Sequence, residues 1–203
     1  MSLFNDFLLA TLDNDGLPSV LWRLHSQNEA FSDETILQFA FPYPKLLKKV
    51  SMRSMPTSEE FVFVLSKASA TGEVTRTYGF CRRYLGSGFG GRLDVGVRFP
   101  EVLVMLTHQP LFSLYSSVLR AAQGLRLLNP LALNDFVAKL CTPVPFPMAN
   151  ETFRVLFPRL PGIQDELRFK MPSSGSPSCG VVVGDVSGAS LLHSLGARRY
   201  LLL

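Results

Sequence analysis

The sequence predicts an α+β domain in which a mainly antiparallel sheet of about five strands is flanked by helices. Three observations favour this class: short strand-like runs joined by short returns, two amphipathic helical stretches after them, and a hydrophobic content of 47% in 203 residues. A chain of this length and composition can bury one good core and part of another.

The first elements form a predicted hairpin. The strand-like runs 4–12 and 17–25 are separated by Asp13-Asn14-Asp15-Gly16, a turn composition that tolerates positive φ. A short helical turn is expected next, because Ser32 can cap a segment that runs through Leu37. Pro42 and Pro44 then end it.

A second hairpin joins the runs 61–66 and 75–85 through a loop around Gly72. The first of these runs, FVFVLS, is apolar without alternation, which is typical of a strand covered on both faces. A fifth strand is predicted at 101–107. Short returns between these runs favour antiparallel pairing.

Two helices are predicted to follow the strands. The first starts at Pro110, a residue type favoured at a first helical position, and carries an apolar stripe that must face the sheet. The second starts at Asn129-Pro130 and stops before Pro143. After it, the strand-like run 151–157 is expected to return to the sheet. The stripe of the first helix comprises Leu111, Leu114, Tyr115, Val118, Leu119, Ala122 and Leu125.

A glycine-rich motif, Gly86-x-Gly88-x-x-Gly91, raises the possibility of a nucleotide site. A dinucleotide fingerprint needs a helix at the third glycine, and the following residues are poor helix starters. A Walker loop needs Gly-Lys-Ser/Thr, whereas Arg92 follows here. A flexible loop between two strands is therefore the favoured interpretation, with a nucleotide-dependent enzyme as the weaker alternative.

No spacing in the sequence indicates catalysis, a cofactor or a metal. The cysteines, Cys81, Cys141 and Cys179, are too far apart for a metal pattern and are expected to be reduced, buried thiols. The pair Glu59-Glu60 is placed just before a strand, where neighbouring side chains point to opposite faces. The histidines are isolated, at His25, His108 and His193.

Charge and targeting signals suggest a cytoplasmic protein. The net charge of +4 is spread thinly, since only 18% of residues are charged, and no basic stripe typical of a nucleic-acid binder is visible. An anionic membrane surface or an acidic partner could use this charge, but an ordinary solvated surface explains it as well. Asn5 and Asp6 interrupt the first apolar run, and no stretch reaches the ~18 apolar residues of a membrane span.

The composition changes near the C-terminal end. Residues 158–190 are rich in Pro, Gly and Ser, which predicts a linker. Residues 191–203 begin an amphipathic helix and stop on three leucines. This ending predicts either a truncated domain or a partner that covers the apolar side chains.

Five sequence blocks follow one another along the chain: FAFPYP at 39–44, FVFVLS at 61–66, RTYGFCRRYL at 76–85, FPEVLVMLTHQPLFSLYSSVL at 99–119 and TPVPFP at 142–147. No single block would be diagnostic, but their order covers nearly the whole chain. In this order the blocks resemble the upstream part of DENN-domain proteins, which are exchange factors for Rab-family GTPases.

The resemblance implies a longin-like first lobe at 1–157, a linker at 158–190 and the start of a truncated second, core lobe at 191–203. It places the glycine-rich segment where that family inserts loops of variable length. The implied role is part of a guanine-nucleotide exchange factor for a Rab-family GTPase in membrane trafficking, inactive if the second lobe is missing. The implied place is the cytoplasm, with peripheral attachment to vesicle or endosomal membranes left open.

A second interpretation remains open. In it the chain is a stand-alone longin-like module that binds a GTPase or a trafficking partner without exchanging nucleotide. Neither interpretation needs a cofactor or covalent chemistry. The candidates for partner contact are Arg82 and Arg83, because adjacent strand residues face opposite ways and one of them should be accessible.

Overall fold

The computed structural model shows a chain organised around one five-stranded sheet. It describes residues 3–13, 15–25, 31–44, 47, 50–51, 57–68, 72–86, 97–141, 148–156 and 166–171. In chain order the described elements are β1 (Asp6–Leu12), β2 (Pro18–His25), α1 (Asp33–Ala40), β3 (Val50–Ser51), β4 (Ser58–Ala68), β5 (Val74–Leu85), β6 (Val97–Arg98), β7 (Pro100–Thr107), α2 (Phe112–Leu128), α3 (Pro130–Cys141), β8 (Thr152–Leu156) and β9 (Glu166–Lys170).

The main sheet has the order β2-β1-β7-β5-β4, and every neighbouring pair is antiparallel. Its five strands are the five that the sequence predicts. The helices lie on both faces, because separate apolar clusters join α2 and α3 to one face and α1 to the other. The predicted α+β, longin-like fold is confirmed.

The first hairpin forms as predicted. The Asp13 carboxylate accepts the backbone N–H groups of Asp15 at 2.9 Å and Leu17 at 2.8 Å, and Gly16 takes φ 79°. These bonds close the turn locally. The β1–β2 register then shifts between Leu9 and Ala10, so β2 carries a bulge near the middle of the sheet edge.

The second hairpin pairs β4 with β5 over eleven residue pairs without a register shift. One expectation about β4 is wrong and another holds only in part. Glu59 and Glu60 lie inside the strand and not before it. The apolar run packs on both faces at Val62, Phe63 and Leu65, but Val64 is 36% exposed.

Helix α1 begins where the sequence indicates. The Ser32 hydroxyl accepts the Thr35 N–H at 3.3 Å, but the helix runs through Ala40 and is longer than the predicted single turn. Arg23 of β2 forms ion pairs with Asp6 of β1 and with Asp33 in the first turn of α1. The pairs tie the start of α1 to the sheet.

Helix α2 provides the main apolar layer. It starts at Phe112, two residues later than predicted, because Pro110 precedes the helix and Leu111 is its N-cap. The predicted stripe is nevertheless confirmed, since all of its members are buried. Their cluster also contains Phe7, Leu103 and Met105 from the sheet and Phe136 and Val137 from α3.

The strand after α3 does not return to the main sheet, which corrects the sequence expectation. Strand β8 pairs instead with β9 as a separate two-stranded sheet. Strand β9 was not predicted and lies within 158–190, the stretch expected to be a linker. Phe169 of β9 is fully buried in the cluster of α2 and α3, so packing on the helices holds this ribbon.

Several predicted features lie outside the described residues. They are the glycine-rich loop beyond Gly86, most of the linker, Cys179, His193 and the helix expected at 191–203.

Candidate functional site

Arg82 and Arg83 occupy opposite faces of β5. Arg82 lies opposite Glu60 in the β4–β5 register, and Arg83 lies opposite Glu59. Side chains of neighbouring strand residues alternate between faces. Arg82 therefore points toward the layer of α2, and Arg83 points toward the face that carries α1.

Arg82 is buried, with 8% of the residue exposed. Its Nη1 donates to Glu60 Oε1 and its Nε donates to Gln123 Oε1 of α2. A third bond runs from Nη2 to the Ser58 hydroxyl at 3.0 Å. The guanidinium thus uses donors on several sides, and it connects β4, β5 and α2.

Glu60 is the second centre of this group, which we call the Arg82 network: Ser58, Glu60, Arg82, Ser116, Arg120 and Gln123. Besides Arg82, the carboxylate accepts the Ser116 hydroxyl and lies 3.5 Å from Nη2 of Arg120. Arg120 is mostly exposed, with 58% of its side chain accessible. The network therefore runs from the interior to solvent along one side of α2.

The Arg82 network is built for position and not for proton transfer. Burial lowers the pKa of Arg82, while the negative charge of Glu60 opposes that shift. The ordinary pKa of arginine lies far above neutral pH, so the group stays charged in proteins. A buried guanidinium that must keep its hydrogen-bond partners is a structural cation. Its substitution is expected to disturb α2 whether or not Arg82 contacts a binding partner.

Arg83 is the more exposed candidate. Its side chain is 20% accessible and forms an ion pair with Glu59, whose side chain is 53% accessible. The guanidinium also lies over the Phe61 ring, 5.6 Å from the centroid, a geometry that favours cation–π attraction. Burial lowers the pKa of Arg83, and the group remains cationic. We call Glu59, Phe61 and Arg83 the Arg83 surface.

A further buried charge pair lies at the other end of the α2 layer. Glu101 of β7 accepts Nε of Arg126 at 3.2 Å and Nη2 at 3.1 Å, together with the Tyr84 hydroxyl at 2.9 Å. Burial by itself lowers the pKa of Arg126, but the hydrogen bonds and the charge of Glu101 outweigh it and the net shift is upward. Burial and the charge of Glu101 raise the pKa of Tyr84.

Gly86, the first glycine of the glycine-rich motif, lies directly beside Glu101 of this charge pair. Its N–H donates to the Phe99 carbonyl at 3.0 Å, and a Cβ at this position would lie 2.6 Å from Cδ of Glu101. The missing side chain makes room for a carboxylate.

The other reactive residue types show no site in the part of the chain that the structure describes. Cys81 is buried and Cys141 half-buried, and both are free thiols. Burial raises the pKa of both, to about 11 for Cys141 with help from the charge of Asp6, so neither thiol is activated. No group of three potential metal ligands comes together among the described residues, and no described helix is long and apolar enough to span a membrane.

Sequence reasoning found the two arginines but missed their partners. The available signal was the hairpin: pairing the strands symmetrically about the loop near Gly72 places Glu60 opposite Arg82 and Glu59 opposite Arg83. Gln123 and Ser116 gave no such signal, because their contacts depend on how α2 crosses the sheet.

The chain is similar to several DENN domain-containing proteins. It is 36% identical to human (Homo sapiens) DENN domain-containing protein 2B over 135 residues, 66% of this chain and 10% of that protein. It is 36% identical to human protein 2A over 123 residues, 60% of this chain and 11% of that protein. With human protein 2C it shares 34% identity over 128 residues, 61% of this chain and 12% of that protein.

These relatives confirm the resemblance to DENN-domain proteins that the ordered sequence blocks indicate. The matched part spans only about a tenth of the relatives' length. A scan against protein-family models gives no match.

Proposed function

We propose, from the confirmed resemblance to DENN-domain proteins, that this chain is part of a guanine-nucleotide exchange factor for a Rab-family GTPase in membrane trafficking. The observation that carries the proposal is the similarity to three DENN domain-containing proteins over about two thirds of the chain. The antiparallel sheet with helices on both faces supports it, because this is the architecture implied for the first DENN lobe.

The proposed activity needs no covalent chemistry. An exchange factor binds the nucleotide-free GTPase more tightly than the nucleotide-bound form, and by linkage it lowers the affinity of the GTPase for nucleotide by the same factor. The usual route is displacement of the switch segments that hold the phosphates and magnesium. Accelerating release ~1,000-fold requires ~4 kcal/mol of differential binding.

We further propose that exchange requires a second DENN lobe. In the DENN resemblance the GTPase is held by surfaces of both lobes, and one lobe offers only part of the contact area from which the differential binding must come. The proposed division is a first lobe at 1–157, to which β9 (Glu166–Lys170) also belongs because Phe169 is buried in the cluster of α2 and α3, and the start of the core lobe at 191–203. We place the protein in the cytoplasm, with peripheral attachment to vesicle or endosomal membranes as a second possibility.

For partner contact we favour the Arg83 surface over the Arg82 network. Glu59 and Arg83 present opposite charges on an accessible part of the sheet, and the Phe61 ring restricts the position of the Arg83 guanidinium that lies over it. Charged groups at the rim of an interface mainly change the association rate and its salt dependence. Arg82 is expected to act indirectly, by holding α2 in position.

The test is release of a fluorescent GDP analogue from a panel of Rab GTPases. The chain alone is compared with the chain extended by a second DENN lobe, and direct binding of each form is measured in parallel. The proposal predicts acceleration by the extended form and little or none by the chain alone. Absence of both acceleration and binding across the panel would refute it.

Residue-level contact is tested with a charge reversal and a matched control. Arg83→Glu is expected to slow association with the responsive GTPase, with a smaller effect at high salt. Arg76→Glu makes the same change at an exposed position of the same strand and is expected to leave association unchanged. Equal effects of the two variants would indicate a general charge effect and would exclude the Arg83 surface as the contact.

The alternative function is a stand-alone longin-like module that binds a GTPase or a trafficking partner without exchange. Binding of a Rab by the chain, without faster release by either form, would support this alternative. A nucleotide-dependent enzyme is the weakest candidate, and failure to bind ATP, GTP or NAD would remove it.

A further inference from the structure

The two edges of the main sheet differ in how they are protected. Strand β2 starts with Pro18 and carries the bulge near Leu21, and both features discourage pairing with another strand. Strand β4 has neither. It runs for eleven residues in unbroken register with β5, and no other described strand pairs with its outer edge.

The centre of β4 also lacks the charges that usually blunt an edge. Residues 61–65, FVFVL, are all apolar, and natural sheets normally protect such edges with Lys, Pro or a bulge. The charges of β4 lie only toward its ends: Glu59 and Glu60 precede the apolar centre, and Lys67 follows it. Opposite charges at opposite ends make the strand complementary to an antiparallel copy of itself.

We propose that β4 pairs with β4 of a second copy of this chain, antiparallel and centred on Phe63. In that register Val62 faces Val64 of the second copy, and Glu59 faces Lys67 of the second copy. Because two-fold symmetry repeats each contact, the dimer contains the Glu59–Lys67 contact twice. The two main sheets become one continuous sheet.

The side chains allow this register. Glu59 and Lys67 are an even number of residues apart, so they lie on the same face of β4, and directly opposite residues of an antiparallel pair share a face. Both side chains are exposed. Glu59 also pairs with Arg83 of its own chain, so the dimer aligns Arg83, Glu59 and Lys67 of the second copy as alternating charges.

Other registers lose this match. Parallel pairing of two copies of β4 in register puts like charges opposite each other, which is destabilising. An antiparallel slip by two residues replaces the Glu59–Lys67 contact with a charge facing an uncharged residue. A partner strand from a different protein could also cover the edge, but only a second copy is guaranteed to carry the complementary pattern.

The first experiment is sedimentation velocity of the whole chain over a range of concentrations. The unaltered protein is expected to show a reversible monomer–dimer equilibrium. Lys67→Glu places two carboxylates opposite each other at both contacts, and Glu59→Lys places two ammonium groups there. Each variant alone is expected to raise the dimer dissociation constant by at least ~10-fold.

The decisive arm mixes the two variants. A dimer of one Lys67→Glu chain and one Glu59→Lys chain restores opposite charges at both contacts, so the mixture is expected to associate within ~3-fold of the unaltered protein. Recovery on mixing would show that both variants are folded, because mixing can restore association but cannot restore the fold of either chain. Arg76→Glu is the control, as an exposed charge change on β5 away from the outer edge.

Hydrogen exchange provides an independent readout. Amide protection along 58–68 should rise with protein concentration in the unaltered chain and should not rise in either single variant. A chain that stays monomeric at its highest soluble concentration would overturn the proposal. An unchanged dimer dissociation constant in both Lys67→Glu and Glu59→Lys would also overturn it, as would a mixture of the two variants that fails to recover association. These outcomes do not depend on exchange activity, so the proposed function can fail or stand separately.

Discussion

The buried pair of Glu101 and Arg126 allows a quantitative test of how the α2 layer is held on the sheet. The Arg126 guanidinium donates to both carboxylate oxygens of Glu101, and only 9% and 6% of the two side chains are exposed. Arg126→Met keeps most of the aliphatic length and removes the positive charge. The carboxylate then keeps the Tyr84 hydroxyl at 2.9 Å as a donor.

The expected loss is large because the remaining partner would be an uncompensated buried charge. Removing one member of a buried pair typically costs ~3–5 kcal/mol, against a total free energy of unfolding of ~5–15 kcal/mol for a domain. Gly86 approaches this carboxylate closely, since a Cβ there would lie 2.6 Å from its Cδ, and the Glu101 side chain is only 6% exposed, so solvent can do little to compensate the unpaired charge. Arg126→Met should therefore remove a substantial part of the stability at neutral pH.

Urea unfolding followed by tryptophan fluorescence measures this loss. The chain has one tryptophan, Trp22, whose ring centroid lies 5.9 Å from that of Phe7 in an edge-on contact, so its emission reports unfolding of the main sheet. With a slope of ~1–3 kcal/mol per molar urea, the midpoint should fall by more than ~1 M.

A double variant separates lost charge compensation from lost packing. Arg126→Met combined with Glu101→Gln removes both charges and leaves an amide that can still accept from Tyr84, so it should recover more than half of the loss. A loss below ~1 kcal/mol for Arg126→Met, or a double variant no more stable than the single one, would refute this reasoning.

Three further outcomes are expected. Gly86→Ala should lower the free energy of unfolding by ~1–3 kcal/mol, because its Cβ would lie 2.6 Å from Glu101; urea unfolding measures it, and no change would contradict the close approach. Gly79→Ala should lower the free energy of unfolding at least as much, because its Cβ would lie 2.2 Å from the Phe63 ring. Adding Phe63→Leu, which removes that ring, should relieve part of the cost in the double variant. Burial raises the pKa of Tyr115 to about 12, above the ordinary value of about 10, so the folded state keeps a proton that the unfolded state loses between these values and the free energy of unfolding falls as pH rises through them. Tyr115→Phe should make that decline shallower in unfolding experiments at alkaline pH, and an unchanged decline would contradict the assignment.

The main sheet was predictable because its signals are local. Each strand is an apolar run bounded by turn residues, and the second hairpin closes over a short loop, so consecutive runs pair with little ambiguity. The α2 stripe was predictable for the same reason, since its spacing of three and four is written in one segment. The predicted start of α2 is two residues too early, because proline is favoured at the first helical position but also occurs just before a helix.

The β8–β9 ribbon shows where local signals fail. Strand β9 is a five-residue run, ELRFK, inside a stretch whose composition predicts a linker. What places it is the burial of Phe169 against α2 and α3, a contact made with residues far away in sequence. Tertiary packing of this kind overrides the preference that composition indicates, and a run of five residues is too short for its periodicity to predict the strand.

The candidate site divides in the same way. Alternation along β5 predicts that Arg82 and Arg83 face opposite sides, and the structure shows which side each one faces. The Gln123 carboxamide that fixes Arg82 is 41 positions away, and its contact depends on the angle at which α2 crosses the sheet. Sequence reasoning could nominate the two arginines but could not rank them.

That ranking determines how any binding experiment on the two arginines must be interpreted. A weaker interaction after Arg82 substitution would not identify a contact, because Glu60 and Gln123 would lose their shared partner and α2 would lose its hydrogen bond to β5. Glu59, by contrast, is already half solvated and tolerates the loss of Arg83 at little cost in stability. Only a binding change without a stability change can be assigned to the surface, and the geometry allows that separation at Arg83.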